Sequence, residues 1–68
     1  MKVYRFRYNT DIYRPLHWGK HLTKIFGERN TGFLLAGGSE EEAYKEWYDA
    51  QAPGEQMGRE YIKITLEK

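Results

Sequence analysis

The chain contains no cysteine. Neither a disulfide nor a cysteine-based zinc site can therefore hold the fold together. This absence also fits a reducing compartment. Serine is nearly missing too, with Ser39 the single example. No long apolar run is present, and Phe33-Leu34-Leu35-Ala36 is the longest. Met1 and Lys2 lead into Arg5 and Arg7, not into the apolar stretch of a secretion signal or membrane span. Cytoplasmic residence without a membrane anchor is the resulting expectation. A strong excess of one charge is lacking as well. The formal net charge is +1, unlike the strongly basic balance of dedicated nucleic-acid binders.

What is present points to one compact domain over residues 1–68. A chain this short buries only about 60% of the surface its unfolded form exposes, so nearly every large apolar residue is needed inside. Aromatic residues make up 16% of the chain and are the natural substitute for a staple. Charge is unevenly spread. Residues 1–30 hold Lys2, Arg5, Arg7, Arg14, Lys20, Lys24 and Arg29 against only Asp11 and Glu28. Residues 31–68 hold twice as many acids as bases. Such asymmetry marks either a side that faces a partner or two halves that attract each other in the fold.

Periodicity supplies the elements. Residues 2–8 alternate, with Tyr4, Phe6 and Tyr8 on one side and Val3, Arg5 and Arg7 on the other, which predicts a strand. Residues 15–26 read as a helix: Pro15 suits its first turn, Gly27 its stop, and Trp18, Leu22, Ile25 and Phe26 share one face. Gly19 opposes this, and a strand around 20–26 is the rival. Residues 33–36, flanked by glycines, suggest a short buried strand. Ser39-Glu40-Glu41-Glu42 is a capping box at the head of a helix over 39–51, closed by Pro53-Gly54. Residues 60–67 alternate again, with Ile62, Ile64 and Leu66 on one face and Tyr61, Lys63, Thr65 and Glu67 on the other. The expected fold is α+β: a small, largely antiparallel sheet with helical cover on one face. The opposite face, with Arg5, Arg7, Tyr61 and Lys63, would stay open to solvent or a partner.

Few patterns carry chemistry. His17 and His21 have the spacing of two metal ligands on a helix, but no third ligand follows at a readable distance, and Lys20 and Lys24 would repel a cation. No metal or cofactor is expected. Gly37-Gly38 before a helix would suit phosphate, but three glutamates follow and no phosphate-loop motif is present. Ser39 is accounted for by its cap, and so short a chain can hardly wall off a water-excluding pocket. The chain therefore does not read as an enzyme. From Arg5 to Lys24, cations alternate with rings, a pattern shared with nucleic-acid binders that stack bases. The same rings also serve as a core. Tyr, Trp and Arg are the residues that most often anchor protein interfaces, and the chain has six Tyr, two Trp and five Arg.

The length, the 33–36 strand running into the Ser39-Glu40-Glu41-Glu42 helix, the missing cysteine and the missing catalytic constellation together carry a resemblance. The chain resembles the short accessory proteins of phages and mobile elements, anti-CRISPR inhibitors among them. That resemblance implies a compact, non-enzymatic inhibitor of a host complex. The chain departs from the strongly acidic inhibitors that mimic nucleic acid. The expectation is thus a protein-binding domain, with Arg5, Arg7, Arg14, Trp18, Lys20 and Lys24 as contact residues. The alternative is a nucleic-acid-binding module using the same stretch. A homodimer paired through an exposed edge strand is a third reading.

Overall fold

The computed structural model describes residues 1–11 and 20–67. In chain order the elements are β1 (Lys2–Tyr8), α1 (Lys20–Phe26), β2 (Phe33–Gly37), α2 (Glu40–Ala50), two short 3₁₀ turns (Pro53–Glu55 and Arg59–Tyr61) and β3 (Ile62–Leu66). The strands form one sheet in the order β2-β1-β3, and both pairings are antiparallel. The fold is therefore α+β, with the first strand of the chain at the centre of the sheet.

Alternation in β1 decides which face is covered. Tyr4, Phe6 and Tyr8 are buried, and register places Leu35 and Phe33 of β2 and Ile64 and Ile62 of β3 beside them. Phe26 of α1 and Ala43 and Trp47 of α2 complete the buried core. The core is largely aromatic. Phe33 stacks on Phe6 at 5.2 Å between ring centroids, on Phe26 at 5.9 Å and on Trp47 at 6.1 Å. Rings at these separations add attraction beyond their buried area, which suits a chain without covalent staples.

The helix–strand ambiguity at 20–26 resolves as helix. Leu22 and Ile25 pack against the core, Phe26 is buried within it, and Gly27, at φ 87°, follows the last turn as expected. The earlier part of the expected 15–26 helix lies outside the described residues. At α2 the Ser39 hydroxyl accepts from the Glu42 N–H, as the capping box requires. The return contact differs by one residue. The Glu42 carboxylate accepts from the N–H of Gly38, not from that of Ser39.

Two strands also depart from expectation. Residues 33–36 are not a fully buried strand: β2 lies at an edge, with Leu34 and Ala36 exposed. A sheet covered on one face buries only every second residue. The expected strand over 60–67 begins at Ile62, because Arg59–Tyr61 closes as a 3₁₀ turn. Its last apolar residue, Leu66, is 48% exposed.

Hydrogen bonding around β1 follows antiparallel alternation. Its odd-numbered residues bond toward β3. The Glu67 N–H donates to the Val3 carbonyl and the Asn9 N–H to the Tyr61 carbonyl, both at 2.8 Å. Its even-numbered residues face β2, where pairing ends at Phe6–Phe33. Beyond that point Asn30 replaces a strand. Its Oδ1 accepts from the Tyr8 N–H at 2.9 Å, and its Nδ2 donates to the Tyr8 carbonyl at 3.0 Å. Asn30 has φ 53°, in the left-handed region that Asn tolerates better than most residues. Gly32, at φ 81°, lies so close to β1 that a Cβ there would stand 2.0 Å from the Phe6 carbonyl oxygen.

Candidate functional site

The register that buries Tyr4, Phe6 and Tyr8 turns the intervening residues to the other face. Val3, Arg5 and Arg7 of β1 stand there with Ala36 and Leu34 of β2 and Thr65 and Lys63 of β3. Val3 is 39% exposed and Leu34 49%. Register sets Val3 beside Ala36 and Arg5 beside Leu34, so the apolar residues share the β1–β2 half of the face.

The cations on this face are not equivalent. Arg5 is held at three points: Nε donates to Glu67 Oε2 at 3.2 Å, one terminal nitrogen to Glu67 Oε1 at 3.0 Å, and the other to the Thr31 carbonyl at 2.8 Å. The bond to Arg5 holds the Glu67 carboxyl below its ordinary range, and the same bond raises the pKa of Arg5. Lys63 pairs with Asp11. Arg7 has no hydrogen bond or salt bridge to a described residue. Among the described residues, its interaction is a Coulombic one with Glu67, weaker than the bond Arg5 makes there.

Of the six expected contact residues, the three whose side chains are described do not share one face. Arg5 and Arg7 lie on the open face. Lys24 lies on the helical side of the sheet, beside a groove of about 260 Å³ lined by Ile25, Phe33, Leu35 and Trp47. Lys20 opens α1, but its side chain is outside the described residues, as are Arg14 and Trp18. The interleaving of cations and rings in β1 separates by face. Phe6 and Tyr8 are buried, while Arg5 and Arg7 point the other way.

A second groove, about 530 Å³, lies along α2 between Glu41, Tyr44, Lys45 and Arg59. Here the Tyr44 hydroxyl donates to the Met57 carbonyl at 2.7 Å, and Arg59 lies 6.0 Å from the centre of the Tyr44 ring. Burial, then neighbouring Tyr48 and Glu60, raise the Tyr44 hydroxyl above its ordinary value. Among the described residues lining the two grooves there is no serine, cysteine or histidine, so neither pairs a nucleophile with an imidazole base. No three described His, Cys, Asp or Glu side chains gather where they could hold a metal ion. No described helix is long and apolar enough to cross a membrane.

Charge and aromatic content directed attention to the cations, so sequence reasoning missed Val3, Leu34 and Ala36. The signal was available in Phe33–Ala36. Four consecutive apolar residues on a sheet with one covered face must leave two of them outside. Neither a known family model, nor a curated protein, nor a solved structure matches the chain.

Proposed function

We propose that the chain is a small, non-enzymatic protein-binding domain that docks a partner through the open face of its sheet. The observation that carries this reading is the exposure of Val3 and Leu34 together on a face where Arg5 and Lys63 are held in salt bridges, beside Arg7. Apolar side chains left in water gain when covered, and the Arg7 guanidinium adds a directional contact. The matching partner surface is an apolar protein patch with a carboxylate beside it. The domain exposes 5021 Å², and a standard interface takes about 800 Å² from each side, so one partner would cover about a sixth of its surface. Blocking a larger complex, as a phage-type inhibitor does, is the action open to so small a body.

A photo-reactive residue at position 34 tests this in cells that make the protein, with the same group at exposed Asp49 on α2 as control. A defined protein adduct at 34 that is absent at 49 and lost with Arg7→Glu supports the reading. Equal adducts at both positions, or adducts to nucleic acid alone, overturn it.

A further inference from the structure

The two edges of the sheet are finished differently. On β3, the Ile62 carbonyl accepts from an Arg59 guanidinium nitrogen at 2.6 Å, and the Ile62 N–H donates to the Arg59 carbonyl. Lys63 places a charge in that strand. On β2 the sequence is Phe-Leu-Leu-Ala-Gly, with no charge and no proline. Phe33, Leu35 and Gly37 pair with β1, so alternation turns the N–H and C=O groups of Leu34 and Ala36 outward. No described residue bonds these outward groups. Monomeric proteins usually guard a bare apolar edge with charge, proline, a bulge or a cover.

We infer that β2 is a dimerisation edge, where two copies of the chain pair antiparallel about a two-fold axis at Leu35. Two three-stranded sheets then become one of six strands. The sequence of β2 is the argument for a second copy over a foreign strand. Read against its own reverse with Leu35 on the axis, Leu34 stands opposite Ala36 and Phe33 opposite Gly37. Off the axis, each large side chain meets a small one, on both faces of the sheet, and Leu35 meets its own copy. Each Leu34–Ala36 pair exchanges two hydrogen bonds through the groups that bond no described residue. The strand carries no charged or hydrogen-bonding side chain with which to select a foreign sequence. A net charge of +1 leaves little repulsion between copies. This inference goes beyond the open-face reading and does not depend on it. Dimerisation would join the Leu34–Ala36 strips of two copies into one surface.

Sedimentation of the whole chain at high micromolar concentration tests the inference. A mass near twice 8.1 kDa is expected. Ala36→Pro removes an N–H that bonds no described residue, a change that an edge strand tolerates. That variant should sediment as a folded monomer where the wild type is dimeric. Because the chain has no cysteine, single substitutions report the register without background. Leu35→Cys should oxidise to a covalent dimer, since opposed residues in a non-hydrogen-bonded pair lie about 4.5 Å apart at Cα, within disulfide reach. Leu34→Cys should not, because its counterpart is displaced by two residues. A monomeric wild type overturns the inference, whether or not Leu35→Cys folds. So does a dimer that survives in folded Ala36→Pro, or one that crosslinks through position 34 in preference to 35. The open-face reading is decided separately, by the adduct at 34 in Arg7→Glu.

Discussion

Asn30 clasps the backbone of Tyr8 at two points, accepting from its N–H and donating to its carbonyl, so one carboxamide continues the sheet where β2 has stopped. Asn30→Ala removes both of these bonds, although the Tyr8 carbonyl still accepts from the Thr10 N–H, and places alanine at φ 53°. The two lost bonds cost roughly 1–3 kcal/mol and the backbone about 1 kcal/mol more. Urea denaturation should therefore show a loss of about 2–4 kcal/mol. Asn30→Gly removes only the carboxamide and should lose less. Equal losses would mean that the turn geometry contributes nothing.

Acid should weaken the fold through Glu67. Its carboxyl has a lower pKa folded than unfolded, because Arg5 bonds the charged form. The pair therefore adds stability above the unfolded value, and that contribution is lost as pH falls through the folded one. Arg5 stays charged throughout. The wild-type denaturation midpoint should drop on acidification below about pH 4. Glu67→Gln should be less stable at neutral pH and show a shallower drop. An unchanged slope in the Gln variant would show that this pair does not set the acid response.

Two glycines should respond oppositely to alanine. At Gly32 a Cβ would meet the Phe6 carbonyl oxygen at 2.0 Å, and φ is 81°. At Gly54 nothing lies within 4 Å. Gly32→Ala should cost about 4 kcal/mol or more, enough to unfold a small domain. Gly54→Ala should stay within about 0.5 kcal/mol of wild type. Thermal melts by circular dichroism compare them directly.

Arg5 and Arg7 are neighbours on one face, but their charge reversals should have different effects. Arg7→Glu changes a head group whose effect on Glu67 ranks below that of Arg5, and should reduce partner capture with only a small fall in melting temperature. Arg5→Glu places a carboxylate against Glu67 and the Thr31 carbonyl and should lower the melting temperature. Paired melting and capture measurements separate a binding role from a structural one.

Local pattern made much of the fold legible. The alternation of β1 gave its exact span and both faces, and Ser39 located the start of α2 because a cap acts within four residues. Three features depended on distant chain and were not legible. The edge position of β2 follows from β3 pairing on the far side of β1, so Leu34 looked buried in isolation. The clasp of Asn30 depends on a strand 22 positions away, and Arg5 meets Glu67 across 62. Charge asymmetry between the halves anticipated the Arg5–Glu67 attraction. It could not show that Lys63 and Asp11 pair in the opposite sense.

The central place of β1 also sets an order on folding. Its contacts with α1 and β2 close modest loops, whereas pairing with β3 brings Val3 to Glu67 across nearly the entire chain. Closing that longer loop costs more chain entropy and comes before the contacts that repay it. During synthesis β1 emerges first yet is flanked on its second side last. A nascent chain must carry one naked side of its central strand until the final strand arrives, and this interval is when the sequence is most exposed to pairing with the wrong partner.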